Sequence, residues 1–468
     1  MKKRLYYRKK IFIIVFGEFL KQRNDAMKEL KLFGLAMPIF IETALFMLLG
    51  FIDVFILSQF DDLAASAVNT ANQAVSIITV VFTVICGASG ILISQYLGAD
   101  KRTAASRISA VAIALNLIFG IIVSLIFVFF GDDILGLIGA KGELMTLASQ
   151  YLDIVGGFIF MQAVLSSMSV IIRNHGLTKV SMYVTVGMNI INLILDIIFV
   201  QGLFGMPRLG VFGAAVATVI SRILGTVVVG LFLFNEIEKI SIFKMLMPFP
   251  KNDIKNIIKI GVPSALETFL YNLSQLVITS IVLKYLLETE LIAKTYVQNI
   301  TMFFYIFSLS IGQASQIMTG HLVGAKKFDE AYKQGRRSYL YALSLTMTIC
   351  IFGIIFRGQL MGIFTDNADI ITLGSNIIVL NILLEFGRTT NLVVIACLKG
   401  AGDVYFPTVC AVFSMWLISV LGSYIFAVSL GMGIYGLWIG ISADECFRGI
   451  FMLIRWKKGK WKAKRISD

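Results

Sequence analysis

Stretches of twenty or more mostly apolar residues recur from Phe33 to Ile454, separated by short polar or basic connections. An α-helix rises about 1.5 Å per residue and the bilayer core is about 30 Å thick, so each such stretch has the length of one crossing. The chain is 57% hydrophobic and only 15% charged, with a mean hydropathy of +0.85, whereas soluble domains carry about 25% charged residues. The runs are too long for barrel strands and lack their alternation. The sequence predicts an all-α polytopic membrane protein.

Charge placement orients it. The net charge is +13, yet ten of the 41 Lys and Arg precede residue 33 and seven lie from Arg455 onward. Others gather in GADKRTAASR, RNHGLTK and GAKKFDEAYKQGRR, in every second loop. This is the positive-inside pattern, which places both termini of the multi-pass chain in the cytoplasm, in a plasma membrane or cell inner membrane. Such charge suits anionic lipid headgroups rather than nucleic acid. Five scattered Cys and two His form no metal-like spacing. No Walker lysine signature occurs, so neither ATP hydrolysis nor an enzyme is indicated, and no cofactor.

The runs divide into twelve expected helices. Residues 1–32 form a basic arm, 33–236 an N-lobe of helices 1–6, 237–256 a basic linker, 257–454 a C-lobe of helices 7–12, and 455–468 a basic tail. Within this scheme helix 3 covers Ser109 to Phe130 with an acidic GDD turn after it, helix 4 runs unbroken from Ala148 to Ile172, and helix 7 starts at Ile257. The halves echo each other. LAMPIFIE opens helix 1 and IGVPSALE opens helix 7, so Glu42 follows Pro38 as Glu267 follows Pro263. GASGILISQYLGADKR matches GQASQIMTGHLVGAKK, and RNHG after helix 4 matches KGAG after helix 10. Two six-helix repeats of one topology predict a parallel pseudo-twofold carrier with a cavity between lobes.

Polar residues inside the apolar runs are costly and mark candidate sites. Asp53 lies in helix 1, Asn192 and Asp196 on one face of helix 5, and Thr218 in helix 6. Two carboxylates, an amide and a hydroxyl can bind a small hard cation such as Na⁺ or relay H⁺. The same groups can also pack helices 1, 5 and 6 together. Glu42 and Glu267 could face the cavity and favour a cationic substrate, or sit cheaply near an interface. Glu385 and Arg388 in helix 10 could neutralise each other or exchange partners during transport. Asp444, Glu445 and Arg448 repeat that choice in helix 12, and Phe46, Phe158, Tyr271, Phe304 and Tyr305 could line a cavity for an organic compound.

From about Leu32 to Arg455 the chain resembles the multidrug and toxic compound extrusion (MATE) transporters. The resemblance is carried by the Pro38–Asp53 helix, GASGILISQYLGA, RNHGLTK, the Asp196 to GVFGAAVAT arrangement and LKGAGD. It implies two six-helix bundles and a monomeric antiporter that exports organic, often cationic, drug-like compounds against Na⁺ or H⁺. It also implies an N-lobe cation site at Asp53, Asn192, Asp196 and Thr218, with Glu267 as the acid early in helix 7. Another branch has an Asp in helix 10 where this chain has Gly387, and Glu385 is only a neighbour. Ile418 and Gly422 stand where helix 11 would repeat the Asn and Asp of helix 5. The resemblance therefore implies coupling in the N-lobe. The alternatives are a lipid-oligosaccharide flippase of the wider superfamily and a non-transporting scaffold or receptor.

Overall fold

The computed structural model describes residues 30–205 and 207–466; the side chains of 49–51, 53–55, 59, 60, 204 and 240 fall outside that description. Of the expected basic arm 1–32, only the last three residues are among those described. All regular structure in the described chain is helical. In order come α1 (Leu32–Phe60), α2 (Asp62–Gly98), α3 (Arg102–Ile138), α4 (Gly142–Gly157), α5 (Ile159–Asn174), α6 (Thr178–Gln201) and α7 (Gly210–Ile237). There follow α8 (Lys251–Tyr285), α9 (Glu288–Gly324), α10 (Phe328–Ile355), the short α11 (Arg357–Gly362), α12 (Ala368–Gly400), α13 (Tyr405–Ser429) and α14 (Gly433–Lys457). Among the described residues nine helices are long and apolar enough to cross a membrane, or ten if the bent pair α4 and α5 is one span.

The chain divides into two compact units. The first is Met1–Ile93 with Lys101–Ile258, and the second is Ser94–Asp100 with Lys259–Asp468. In the first, α1 packs on α6, α6 on α7, and α3 on both α4 and α5. Its core joins Phe82 of α2, Phe127 and Leu135 of α3, Leu152 of α4, Ile159 of α5 and Val200 of α6. In the second, α12 is central and packs on α9, α10 and α14. Its core joins Phe304, Met361, Ile377, Leu384, Ile434 and Trp438. Large apolar side chains such as Phe129, Leu137, Phe269 and Phe413 remain exposed. In water they would be a liability; in hydrocarbon they are solvated, and the helices satisfy their own backbone groups.

Helix ends follow local chemistry. Asn367 caps α12 by accepting from Asp369 N and Ile370 N at 3.0 and 3.4 Å. Glu290 accepts from Leu287 N at 2.9 Å at the start of α9. Gly202 ends α6 in the left-handed conformation, φ 74°, which costs a glycine nothing.

Three expected boundaries differ. The GDD residues are not a turn: Gly131, Asp132 and Asp133 lie within α3, which ends only at Ile138. A helix can run past its apolar stretch, and Ser149 Oγ of α4 donates to Asp132 Oδ1 there. Expected helix 4 is broken at Phe158 into α4 and α5, bent by 46°. The break follows Gly156 and Gly157, and a Cβ on Gly156 would lie 2.9 Å from Phe127 Cβ; a pair of glycines is a common cause of kinks. Finally, α8 begins at Lys251, inside the stretch read as linker.

Candidate functional site

The apolar run of α6 is interrupted on one face by Asn189, Asn192 and Asp196, three and four residues apart. All three are buried, Asp196 at 3% exposure. The face stays polar because α6 lies between α1 and α7, and α1 and α7 also touch. Asp53 lies on α1 and Thr218, half-buried, on α7. The structure therefore brings together the helices that carry all four expected residues. The Asp53 side chain lies outside the description, so its geometry toward the other three is not part of this picture. The amide nitrogens of Asn189 and Asn192 are buried with no hydrogen-bond partner among the described residues. Unsatisfied buried donors are rare in native proteins and belong where a water or a moving acceptor group completes them. Among the described residues no group of three or more His, Cys, Asp or Glu is placed to hold a metal ion.

Glu42 and Glu267 occupy matched surroundings. Glu42 accepts from Ser181 Oγ at 3.2 Å and Thr185 Oγ1 at 3.3 Å, both on α6, and Arg173 Nη1 stands 3.7 Å away. Glu267 accepts from Lys399 Nζ and from Thr408 Oγ1 of α13, each at 3.0 Å. In each unit the acid one turn after the helix proline meets the basic residue of RNHG or KGAG and a hydroxyl of the next helix. Neither acid is bare. The sequence alone presents the basic partners Arg173 and Lys399 as turn residues. The repeat itself held the signal, since acid and base recur together at nearly the same offset.

The second unit holds a denser charge network. Arg388 Nη1 donates to the fully buried Glu385 at 2.6 Å, and its guanidinium lies over the Tyr305 ring, 4.8 Å from the centroid. Asn381 donates to Glu385 at 3.4 Å and accepts from Trp438 Nε1 at 3.2 Å. On α14 Arg448 joins Asp444 and Glu445 at 3.5 and 2.8 Å, and Asn391 donates to Glu445 at 2.6 Å. A cavity of about 50 Å³ opens among Tyr271, Gln275, Gln298, Asn381, Arg388 and Asp444. That is room for a few waters, not for an organic compound. Glu385 and Arg388 thus form a direct pair, and of the expected aromatics Tyr271 lines this cavity while Phe304 belongs to the core.

Gly387 has a steric reason. A Cβ there would stand 2.6 Å from Cys446 N and 2.9 Å from Glu445 Cβ, so α12 and α14 meet backbone to backbone. No aspartate fits at that point without moving α14.

With this arrangement in hand, comparison with known proteins is decisive. The MatE family pattern matches residues 38–198 and again 263–425. The chain belongs to the MatE family. Its transporters are secondary-active carriers of the multidrug and toxic compound extrusion type. Two relatives illustrate the range. "Uncharacterized transporter YisQ" of Bacillus subtilis (strain 168) is 37% identical over 445 residues, covering 95% of this chain and 98% of that one. "Probable multidrug resistance protein NorM" of Thermotoga maritima is 25% identical, covering 97% of each. Among solved structures, "Crystal structure of MATE in the bent conformation" superposes with a TM-score of 0.82 at 22% identity, covering 94% of this chain and 96% of that one. A second, described as the outward-facing conformation of a multidrug resistance MATE family transporter, gives 0.82 at 21% identity over 92% and 96%. These structural likenesses establish the fold, which is the all-α MATE fold.

Proposed function

We propose that this MatE transporter is a cation-coupled antiporter that exports organic, often cationic, drug-like compounds by alternating access, with H⁺ or Na⁺ moving the other way. The observation that carries the reading is the buried polar face of α6, Asn189, Asn192 and Asp196, packed between the helices of Asp53 and Thr218. A carboxylate buried in a membrane span is expensive and is kept where ion binding repays it. Oxygen ligands from carboxylate, amide and hydroxyl suit Na⁺, and the same carboxylates suit a proton. The relatives named as probable multidrug resistance proteins support an organic substrate. The family pattern starts at Pro38 and again at Pro263, which supports two repeats related by an axis along the membrane normal. Counting α1 and α14 with the ten spans gives the twelve of a two-lobe carrier. An even number of spans puts both termini on one side, and their Lys and Arg make it the cytoplasmic side. In this reading Glu42 and Glu267 set helix ends through their basic partners, and the chain works as a monomer among lipids.

The test is reconstitution. In proteoliposomes an organic cation imposed on one side should drive measurable H⁺ or Na⁺ movement in the opposite direction. Asp196→Asn should reduce that flux to the level of empty vesicles while the protein still inserts and purifies as a folded monomer. Normal coupled export by this variant would overturn the site.

A further inference from the structure

The second unit ends in a short strap with two faces, and neither is used by the transport reading. Trp461, on the turn Lys460–Lys464 just beyond α14, is fully buried. Its ring stacks on Trp456, centroids 4.4 Å apart and planes 11° from parallel, and its Nε1 donates to the Trp456 carbonyl at 3.0 Å. Tyr332 of α10 stacks on the other ring of the pair, 6.3 Å from Trp456. This aromatic anchor pins the chain, and the residues after it reach Ser94–Asp100, the end of α2 that belongs to the second unit. Ile466 N donates to Gln95 Oε1 at 2.9 Å, and Gln95 Nε2 donates to the Gly400 carbonyl at 2.9 Å. Arg465 Nη2 donates to the Gly324 carbonyl at 3.1 Å. The fit is close: Gly402 has φ 93°, and a Cβ on it would strike the Lys464 carbonyl, as one on Gly98 would strike the His321 carbonyl. One glutamine side chain is thus held from both sides, by the KGAG turn and by the strap.

The other face is basic. Lys457, Lys458, Lys460, Lys462 and Lys464 point away from the core to differing degrees, while Trp461 between them is buried. Lys462 pairs with Asp329 at 3.1 Å, and among the described residues the other four make no salt bridge. On the twelve-span reading α14 crosses the bilayer, which puts Lys457 at its end and the four lysines after it at headgroup depth, where anionic lipid attracts each of them. A soluble polyanion would meet the same charges, but the position next to the bilayer favours lipid.

We propose that residues 456–466 are a lipid-responsive clamp: anionic headgroups hold the lysine face, and the aromatic-anchored strap then holds Ser94–Asp100 in place. The inference rests on the proposed reading of α14 as a membrane span and not on ion coupling. It is tested by hydrogen exchange on the full-length protein in nanodiscs of phosphatidylcholine alone or with half phosphatidylglycerol. Exchange across 94–100 and 460–466 should slow by at least about threefold with the anionic lipid, reflecting rarer local opening, and high salt should remove the difference. Changing the five lysines to glutamine together should give the phosphatidylcholine behaviour in both discs. Trp461→Ala should give fast exchange at 94–100 in both. Equal exchange of the unaltered protein in the two lipids, or a lipid response surviving without the lysines, overturns lipid sensing. Unchanged exchange at 94–100 in Trp461→Ala overturns the clamp.

Discussion

The two units share their helix-end chemistry and differ in the membrane interior. Each has a helix proline, an acid one turn later, a basic residue in a Gly-containing motif and a hydroxyl on the next helix. In the interior the first unit keeps a buried carboxylate with two amides on α6, whereas the second fills its interior with ion pairs made within α12 and within α14. Duplicated folds need the same devices to end and orient helices, so those recur. The interior is free to diverge, and here one unit carries a polar face suited to an ion while the other neutralises its own charges.

The largest expected effect tests that self-neutralisation. Glu385→Ala leaves Arg388 paired to nothing of its own helix in a low-dielectric site, and breaking a buried pair in this way costs about 3–5 kcal/mol. Thermal unfolding of the purified protein should show a clear loss of Tm. The double variant Glu385→Leu with Arg388→Met should recover most of it, because removing both charges removes the desolvation cost too. If the double variant is as unstable as the single, the pair is not a closed structural unit and the contrast between the units fails.

Next is Gly387. Gly387→Asp should destabilise by about 1–3 kcal/mol, the usual cost of forcing extra atoms into a packed contact. Gly387→Ala should already show part of that loss, since Cβ alone meets the α14 backbone. If Gly387→Asp instead folds normally and gains cation-dependent protection from heat, the second unit retains a latent ion site and the two interiors are closer than they look.

Much of this is legible in the sequence. Apolar length and intramembrane polar residues located the helices, because the bilayer leaves the backbone few options. Pro38 with Glu42 and Pro263 with Glu267 share one spacing, and the two matches to the family pattern begin at those prolines. Helix ends were harder. The acidic residues Asp132 and Asp133 read as a turn because hydropathy tracks the solvent a side chain prefers, while α3 continues on backbone bonds that polar side chains do not interrupt. The bend at Phe158 follows the Gly156–Gly157 pair, which hydropathy does not register, and the close approach of Gly156 to Phe127 is a tertiary contact. The partners of Glu42 and Glu267 were visible only as an acid and a base recurring at nearly the same offset in both halves, because Arg173 and Lys399 lie far from the acids in sequence and meet them only once the helices pack.

The smallest expected effect bears on the shared part. Glu42 and Glu267 are similarly screened from solvent, with side-chain exposures of 16% and 15%. Glutamine is isosteric and can still accept from the same donors, so Glu42→Gln and Glu267→Gln should each cost about 1 kcal/mol. The geometry separates them slightly. Lys399 lies at 3.0 Å from Glu267 and donates to it, whereas Arg173 stands 3.7 Å from Glu42, which relies on hydroxyl donors. Charge reversal should therefore split the units. Exchanging the charges by Glu267→Lys with Lys399→Glu should restore most of the Tm lost by Glu267→Lys alone. The matching exchange of Glu42 with Arg173 should restore less, because Ser181 and Thr185 would then face a guanidinium or ammonium group in place of a carboxylate. Hydroxyls can turn to accept from it, so the loss stays small. Equal rescue in both units would mean that the helix ends obey one rule; unequal rescue in the opposite sense would mean that the Arg173 pair, despite its length, is the stronger of the two.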